Sequence, residues 1–289
     1  MKFKTIRIAT GVLNLFILSS LLFAQIPKAD TPFFKEVIEN KLKATYGTSL
    51  KKICPIETDS TAKRIFSEYG AIFVAENAVK LPGKCIFSNE IELQDYQVRA
   101  APQTANLGGV AIILQNPAMQ SILKAEKEAA KKNLRITPRG GSLAAKRSFG
   151  DTVKLWNSRF FPALNFWVAN KKIPRNEAEK VKKLKIAEQI SKVLDWETKG
   201  YFFSKDLSKS ILYSVAAPGA SQHNFMLALD VEQFADKEVR KILADNGWFQ
   251  TVKSDLPHFT YLGVKESELP ALGLKPVMVG SQKFWIPNV

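Results

Sequence analysis

Histidine occurs twice in the 289 residues, at positions 223 and 258, and the surroundings of the first restrict the fold more than any other stretch. Residues 218–230 read Pro-Gly-Ala-Ser-Gln-His-Asn-Phe-Met-Leu-Ala-Leu-Asp. Two histidines and one carboxylate are the minimum protein set for a zinc site with an open position, and each ligand atom must come within about 2.0–2.2 Å of the ion. His223 and Asp230 are seven residues apart. On a continuous strand an odd spacing sends them to opposite faces. On a continuous helix they share a face but stand about 10 Å apart along the axis. The spacing therefore predicts a bend, with His223 in a loop and Asp230 on the strand that follows. Pro218 and Gly219 supply irregular backbone ahead of His223, and the apolar residues 225–229 supply the strand. Pro257 holds Leu256 extended, so His258 starts a second strand and Asp255 stays in the loop before it.

The ends of the chain and its charge set the context. Lys2, Lys4 and Arg7 precede an apolar run over residues 8–23, and Ala24 follows. This layout predicts a secretory signal peptide over residues 1–24. The other reading is an uncleaved membrane anchor, for which the run is short. The formal net charge is +15, and removing three leader cations leaves about +12. Such a balance favours an anionic partner. Export makes that an anionic cell-wall polymer or membrane surface, in a periplasmic or extracellular setting. The densest charge run, residues 180–185, lacks interleaved aromatic side chains on which bases could stack, so no nucleic-acid partner is expected. Cys54 and Cys85 are the only cysteines. In an exported protein they form one disulfide, the other reading being two buried thiols. Closing that loop contributes roughly 3–4 kcal/mol on the chain-entropy account.

The periodicity divides the rest of the chain. Residues 25–109 read as a small α+β region around the cysteine pair, with a helix over 32–46, short strands at 71–74 and 84–87, and a polar linker at 103–109. A strong helix covers 117–132, and its lysine side reads as a solvated face. A strand at 133–137 and an arginine loop lead to a helix at 143–160. Residues 161–210 form a basic, mostly helical insertion, and 201–203 and 211–215 read as strands. A helix covers 236–246. Residues 266–289 read as an extended arm.

Two motifs carry a resemblance. Ser221-Gln-His223-Asn-Phe-Met-Leu-Ala228-Leu-Asp230 resembles the Ser-x-His-x-x-Gly-x-Ala-x-Asp signature of the zinc D-alanyl-D-alanine carboxypeptidase family, matching four of its five landmarks. That family also includes D,D-dipeptidases and L-alanyl-D-glutamate endopeptidases. Asp255-Leu-Pro-His258-Phe259 resembles its Glu/Asp-x-x-His-Phe element, and the whole likeness spans about residues 110–263. The resemblance implies an α+β fold with a mostly antiparallel central sheet flanked by helices, and a zinc peptidase domain over 110–265. It implies one Zn²⁺ held by His223, Asp230 and His258, with Asp255 as general base. It implies substrate contacts from Ser221 and from an arginine, either Arg139 after the strand or Arg147 at the start of the next helix. The expected activity is trimming of peptidoglycan stem peptides. Alternatives are an L-alanyl-D-glutamate-type endopeptidase and a non-catalytic, zinc-stabilised wall-binding protein. Two residues depart from the pattern: Met226 replaces the usual glycine, and Asp255 is shorter than the glutamate of the carboxypeptidases.

Overall fold

The computed structural model describes residues 31–289; the leader expected over residues 1–24 lies outside them. Helices α1 (Phe34–Tyr46), α2 (Leu50–Ile53), α3 (Ser60–Tyr69) and α4 (Glu90–Arg99) come first. The hairpin β1 (Pro102–Leu107) and β2 (Val110–Gln115) follows, and then helix α5 (Asn116–Lys131). The long helix α6 (Phe149–Ala169) leads into α7 (Arg175–Lys182) and α8 (Ile186–Thr198). Strand β3 (Ala228–Asp230), helix α9 (Lys237–Asp245), and strands β4 (Trp248–Phe249) and β5 (His258–Tyr261) build the centre. The chain ends in β6 (Leu274–Val279) and β7 (Gln282–Pro287). The described residues are thus mixed helix and sheet, with three small antiparallel sheets: β1–β2, β3–β5–β4 and β6–β7.

Local chemistry sets the helix ends. Asp59 accepts the Thr61 and Ala62 N–H groups at the start of α3, and Asp236 does the same for Glu238 and Val239 at α9. Helix α6 starts at Phe149 and not at 143, because Ser148 and Asp151 form a reciprocal capping box. Residues 141–144 ahead of it make a separate 3₁₀ turn.

Several expected strands take other forms. Gly70–Val74 is a 3₁₀ turn whose residues are all buried; a short apolar run enclosed on every side has no face to alternate. Residues 84–87 are irregular and use their N–H groups one at a time, Cys85 to Ile53 O and Phe87 to Gly219 O, both at 2.9 Å. Residues 201–203 and 211–215 are not strands either. Glu197 accepts the Phe203 and Ile211 N–H groups at 3.2 and 2.6 Å, so a side chain replaces the partner strand. Residues 133–137 are not a strand, and the one bridge beside them joins Pro138 to Val231. Conversely, the expected linker at 103–109 is strand β1. It turns into β2 through Gly108 and Gly109, both at positive φ, as a two-residue hairpin requires. The C-terminal arm is likewise a hairpin, joined to the body where Trp285 N–H meets Gln250 O at 2.8 Å.

Two apolar clusters hold the molecule. The larger joins Phe34, Phe66 and Phe87 of the N-terminal region to Phe225, Leu229 and Trp248 around the central sheet. Residues 31–109 therefore have no core of their own, and the Cys54–Cys85 disulfide lies within the shared one. The second cluster packs Trp156 and Phe160 of α6 against Ile190, Trp196 and Phe203. Burying each such large side chain stabilises by about 1.5–3 kcal/mol, and the Trp156 indole N–H is satisfied by Gln189 Oε1 at 2.8 Å. A cleft of about 250 Å³ is lined by residues of α6, of the 212–223 segment and of the 252–258 loop.

Candidate metal centre

The loop carrying His223 is set by two residues at positive φ. Gly219 has φ +78°, and a Cβ there would stand 2.1 Å from Phe87 O, so the chain can pass only as glycine. Residues 222–225 then form a 3₁₀ turn that ends on Met226 at φ 56° and ψ 35°. Met226 thus adopts the left-handed conformation that glycine takes without cost. Its side chain is fully buried in the larger core and does not line the cleft. The departure from the family's glycine leaves the cleft unobstructed.

Strand pairing does the rest. Asp230 on β3 lies directly opposite His258 on β5, which puts both side chains on one face of the sheet. The bend between His223 and Asp230 follows the expected form, loop into strand. His223 Nε2, His258 Nδ1 and Asp230 Oδ1 converge, with separations of 3.0, 3.3 and 3.3 Å. Four ligands placed tetrahedrally about 2.05 Å from one ion stand about 3.3 Å from each other. All three residues are buried.

The hydrogen-bond partners determine which ring nitrogens carry protons. His223 Nδ1 lies 3.0 Å from Ala145 O, a carbonyl that only accepts, so Nδ1 is protonated and Nε2 bears a lone pair. Gln222 donates its amide NH₂ to Tyr69 O at 2.9 Å, which leaves Oε1 to accept from His258 Nε2 at 2.8 Å. With Nε2 as donor, the neutral His258 ring carries its lone pair on Nδ1. Asp230 Oδ1 is buried without a hydrogen-bond donor. Two imidazole nitrogens and a carboxylate oxygen thus face one point, an arrangement that a cation completes. The donor set, two imidazoles and a carboxylate, suits zinc.

The electrostatics agree. Burial pushes His223 down to about 4, despite Asp230, so its imidazole is neutral at pH 7. Burial opposes the charge on Asp230, but its contacts with His223 and His258 outweigh it and hold the carboxyl well below its ordinary value. Arg147 also donates to Asp230 Oδ2 at 2.6 Å. Asp255 lines the cleft, and burial chiefly raises its pKa against the pull of His258.

Among the other expected residues, Ser221 and Arg147 line the cleft with His223 and His258. Arg139 does not. It is half exposed, pairs with Glu232 at 3.7 Å and stacks over the Phe234 ring. Sequence reasoning missed the residues that hold the centre in place. Gln222 orients His258, and Asn224 and Gln97 both donate to Arg147 O at 3.0 Å, which ties the arginine to the histidine loop. Gln222 and Asn224 flank His223, but nothing in a polar residue's spacing reveals a partner more than 30 positions away.

The chain matches no protein-family model, and no curated protein is significantly similar to it.

Proposed function

We propose that the protein is an exported zinc peptidase that removes the terminal D-alanine from peptidoglycan stem peptides. The observation that carries this reading is the convergence of two imidazole nitrogens and a carboxylate oxygen in a buried corner that opens on a cleft. The resemblance of the two motifs supports the peptidase class. Zinc bound there supplies Lewis acidity to activate a water and polarise the scissile carbonyl. Asp255 takes the proton from the attacking water at its carboxylate and passes it to the leaving amine; its raised pKa favours that exchange. Arg147 orients Asp230 through Oδ2, and its Nη1 is available to the carbonyl oxygen under attack. Ser221 contacts the substrate backbone beside the ligands. Export fits the leader pattern and the disulfide, and no helix among the described residues is long and apolar enough to cross a membrane. A wall rich in anionic groups suits the +15 charge.

The aspartate at position 255 favours a second reading, cleavage of an internal L-alanyl-D-glutamate-type bond. One experiment separates the two. The zinc-loaded protein is incubated with a pentapeptide-stem muropeptide, with and without chelator, and the products are identified by mass. Chelator-sensitive loss of one D-alanine supports the first reading, and internal cleavage supports the second. Intact substrate with stoichiometric zinc indicates a binding protein, and a protein that retains no metal at neutral pH refutes all three.

A further inference from the structure

We infer that Arg159 is the cleft's anchor for a carboxylate of the substrate set apart from the bond being cut; this rests on the peptidase reading above. Thr152, Leu155 and Arg159 recur at three and four residues on α6 and line the cleft together. Trp156, Phe160 and Ala163 take the buried side of the same helix. The wall is therefore rigid, and Arg159 is its only charged group.

Two cations line the cleft, Arg147 and Arg159. Arg147 is committed, with Nε on Leu143 O at 2.9 Å and one amino group on Asp230 Oδ2 at 2.6 Å. Among the described residues, Arg159 hydrogen-bonds only to Ser158, through Nη1. Its Nε is removed from water and has no acceptor. A buried donor without a partner is uncommon and costly. The Nε–Nη2 edge is the face of a guanidinium that grips a carboxylate with two parallel hydrogen bonds.

Position along the helix gives the reach. The N-terminal end of α6 is tied to the metal corner, because the Arg147 N–H meets His223 O at 3.3 Å just ahead of the Ser148 cap; from Thr152 in that end, Arg159 lies seven residues on, about 10 Å along the axis. An extended peptide covers that length in about three residues. The anchored carboxylate thus belongs to a residue removed from the reacting amide, and the preferred substrate is a peptide with an acidic group in its interior.

Two probes test this: L-Ala-γ-D-Glu-L-Lys-D-Ala-D-Ala with a free α-carboxylate on its glutamate, and the same peptide carrying a carboxamide there. Binding is measured by calorimetry on the zinc-loaded protein, and cleavage is followed in parallel. The carboxylate peptide is expected to bind at least about tenfold tighter, as suits a charge-assisted pair. In Arg159→Ala that ratio falls to about one, and the loss shows in KM while kcat stays within about threefold. Arg159→Lys restores part of it, and Arg159→Gln covers any failure of the alanine variant to fold. A ratio that is unchanged in variants with native melting transitions overturns the inference, as does cleavage without discrimination by the parent protein. If neither peptide is cleaved but the binding ratio still follows Arg159, the anchor stands and the peptidase reading falls.

Discussion

On the sheet side of the cleft, each side chain of the candidate metal corner is held by a named partner: Ala145 O for His223, Gln222 for His258, and Arg147 for Asp230. On the α6 side, the wall is held from behind by Trp156 and Phe160, and of the side chains facing the cleft only Thr152 is buried, its hydroxyl on Phe149 O, while Leu155 is exposed and Arg159 bonds only its neighbour Ser158. The first wall is specified by directional polar contacts and tolerates no shift. The second is specified by packing on its far face, which leaves its near face free to differ without loss of fold. On the proposed peptidase reading, the first wall would hold the reacting atoms and the second would choose what reaches them.

Substitutions should expose that asymmetry, most strongly at Gly219. Gly219→Ala drives a methyl group into the Phe87 carbonyl and is expected to destabilise by at least about 3 kcal/mol, read as a shifted denaturant midpoint with loss of bound zinc. Acid comes next. The folded values of His223 and Asp230 both lie below their ordinary ones, so the unfolded chain binds more protons. The metal-free protein should therefore lose about 2–3 kcal/mol as pH falls from about 6.5 to about 4, in urea titrations across that range. A flat profile would contradict the burial of the corner. Away from the cleft, on α8, burial raises Glu197, so its contribution has the opposite sign and declines as pH rises past the ordinary glutamate value.

Met226→Gly tests whether the left-handed turn or the buried side chain matters more. Losing a buried methionine costs about 2–5 kcal/mol, and relief of the turn returns about 1–2. A net loss of about 1–3 kcal/mol is expected in thermal melts, and a gain in stability would show that strain prevails. Gln222→Leu keeps the core filled but frees the His258 ring, and zinc affinity should drop about 10- to 100-fold in chelator competition. The smallest effect belongs to the opposite wall. Leu155 is 40% exposed, and Leu155→Ala should move stability by no more than about 0.5 kcal/mol. A larger change would mean that this wall, too, is fixed from the cleft side.

Legibility in sequence follows the same division. The ligand set could be read because histidine is rare here and seven-residue spacing admits few geometries. Helix α5 could be read because its apolar face repeats at helical spacing, and the cysteine pair because there was one way to join it. Strand β1 could not, since Gln103, Thr104 and Asn106 give it an exposed, polar pattern with no alternation. The segments at 201–203 and 211–215 carry the apolar content of strands, but Glu197 takes their N–H groups from outside any sheet. Sequence offers both Arg139, by its place after the strand, and Arg147, by its helix register, and favours the second. The Asn224 and Gln97 contacts that bring only Arg147 to the corner are long-range.

The disulfide has a reach beyond stability. Cys85 lies two residues before Phe87, whose backbone N–H holds Gly219 O and whose carbonyl leaves no room beside Gly219. Joining Cys85 to Cys54 therefore fastens the strip against which the histidine loop is moulded. Thiol oxidation is thereby linked to the shape of the corner that could hold a metal ion, and opening the disulfide would loosen the strip that shapes it.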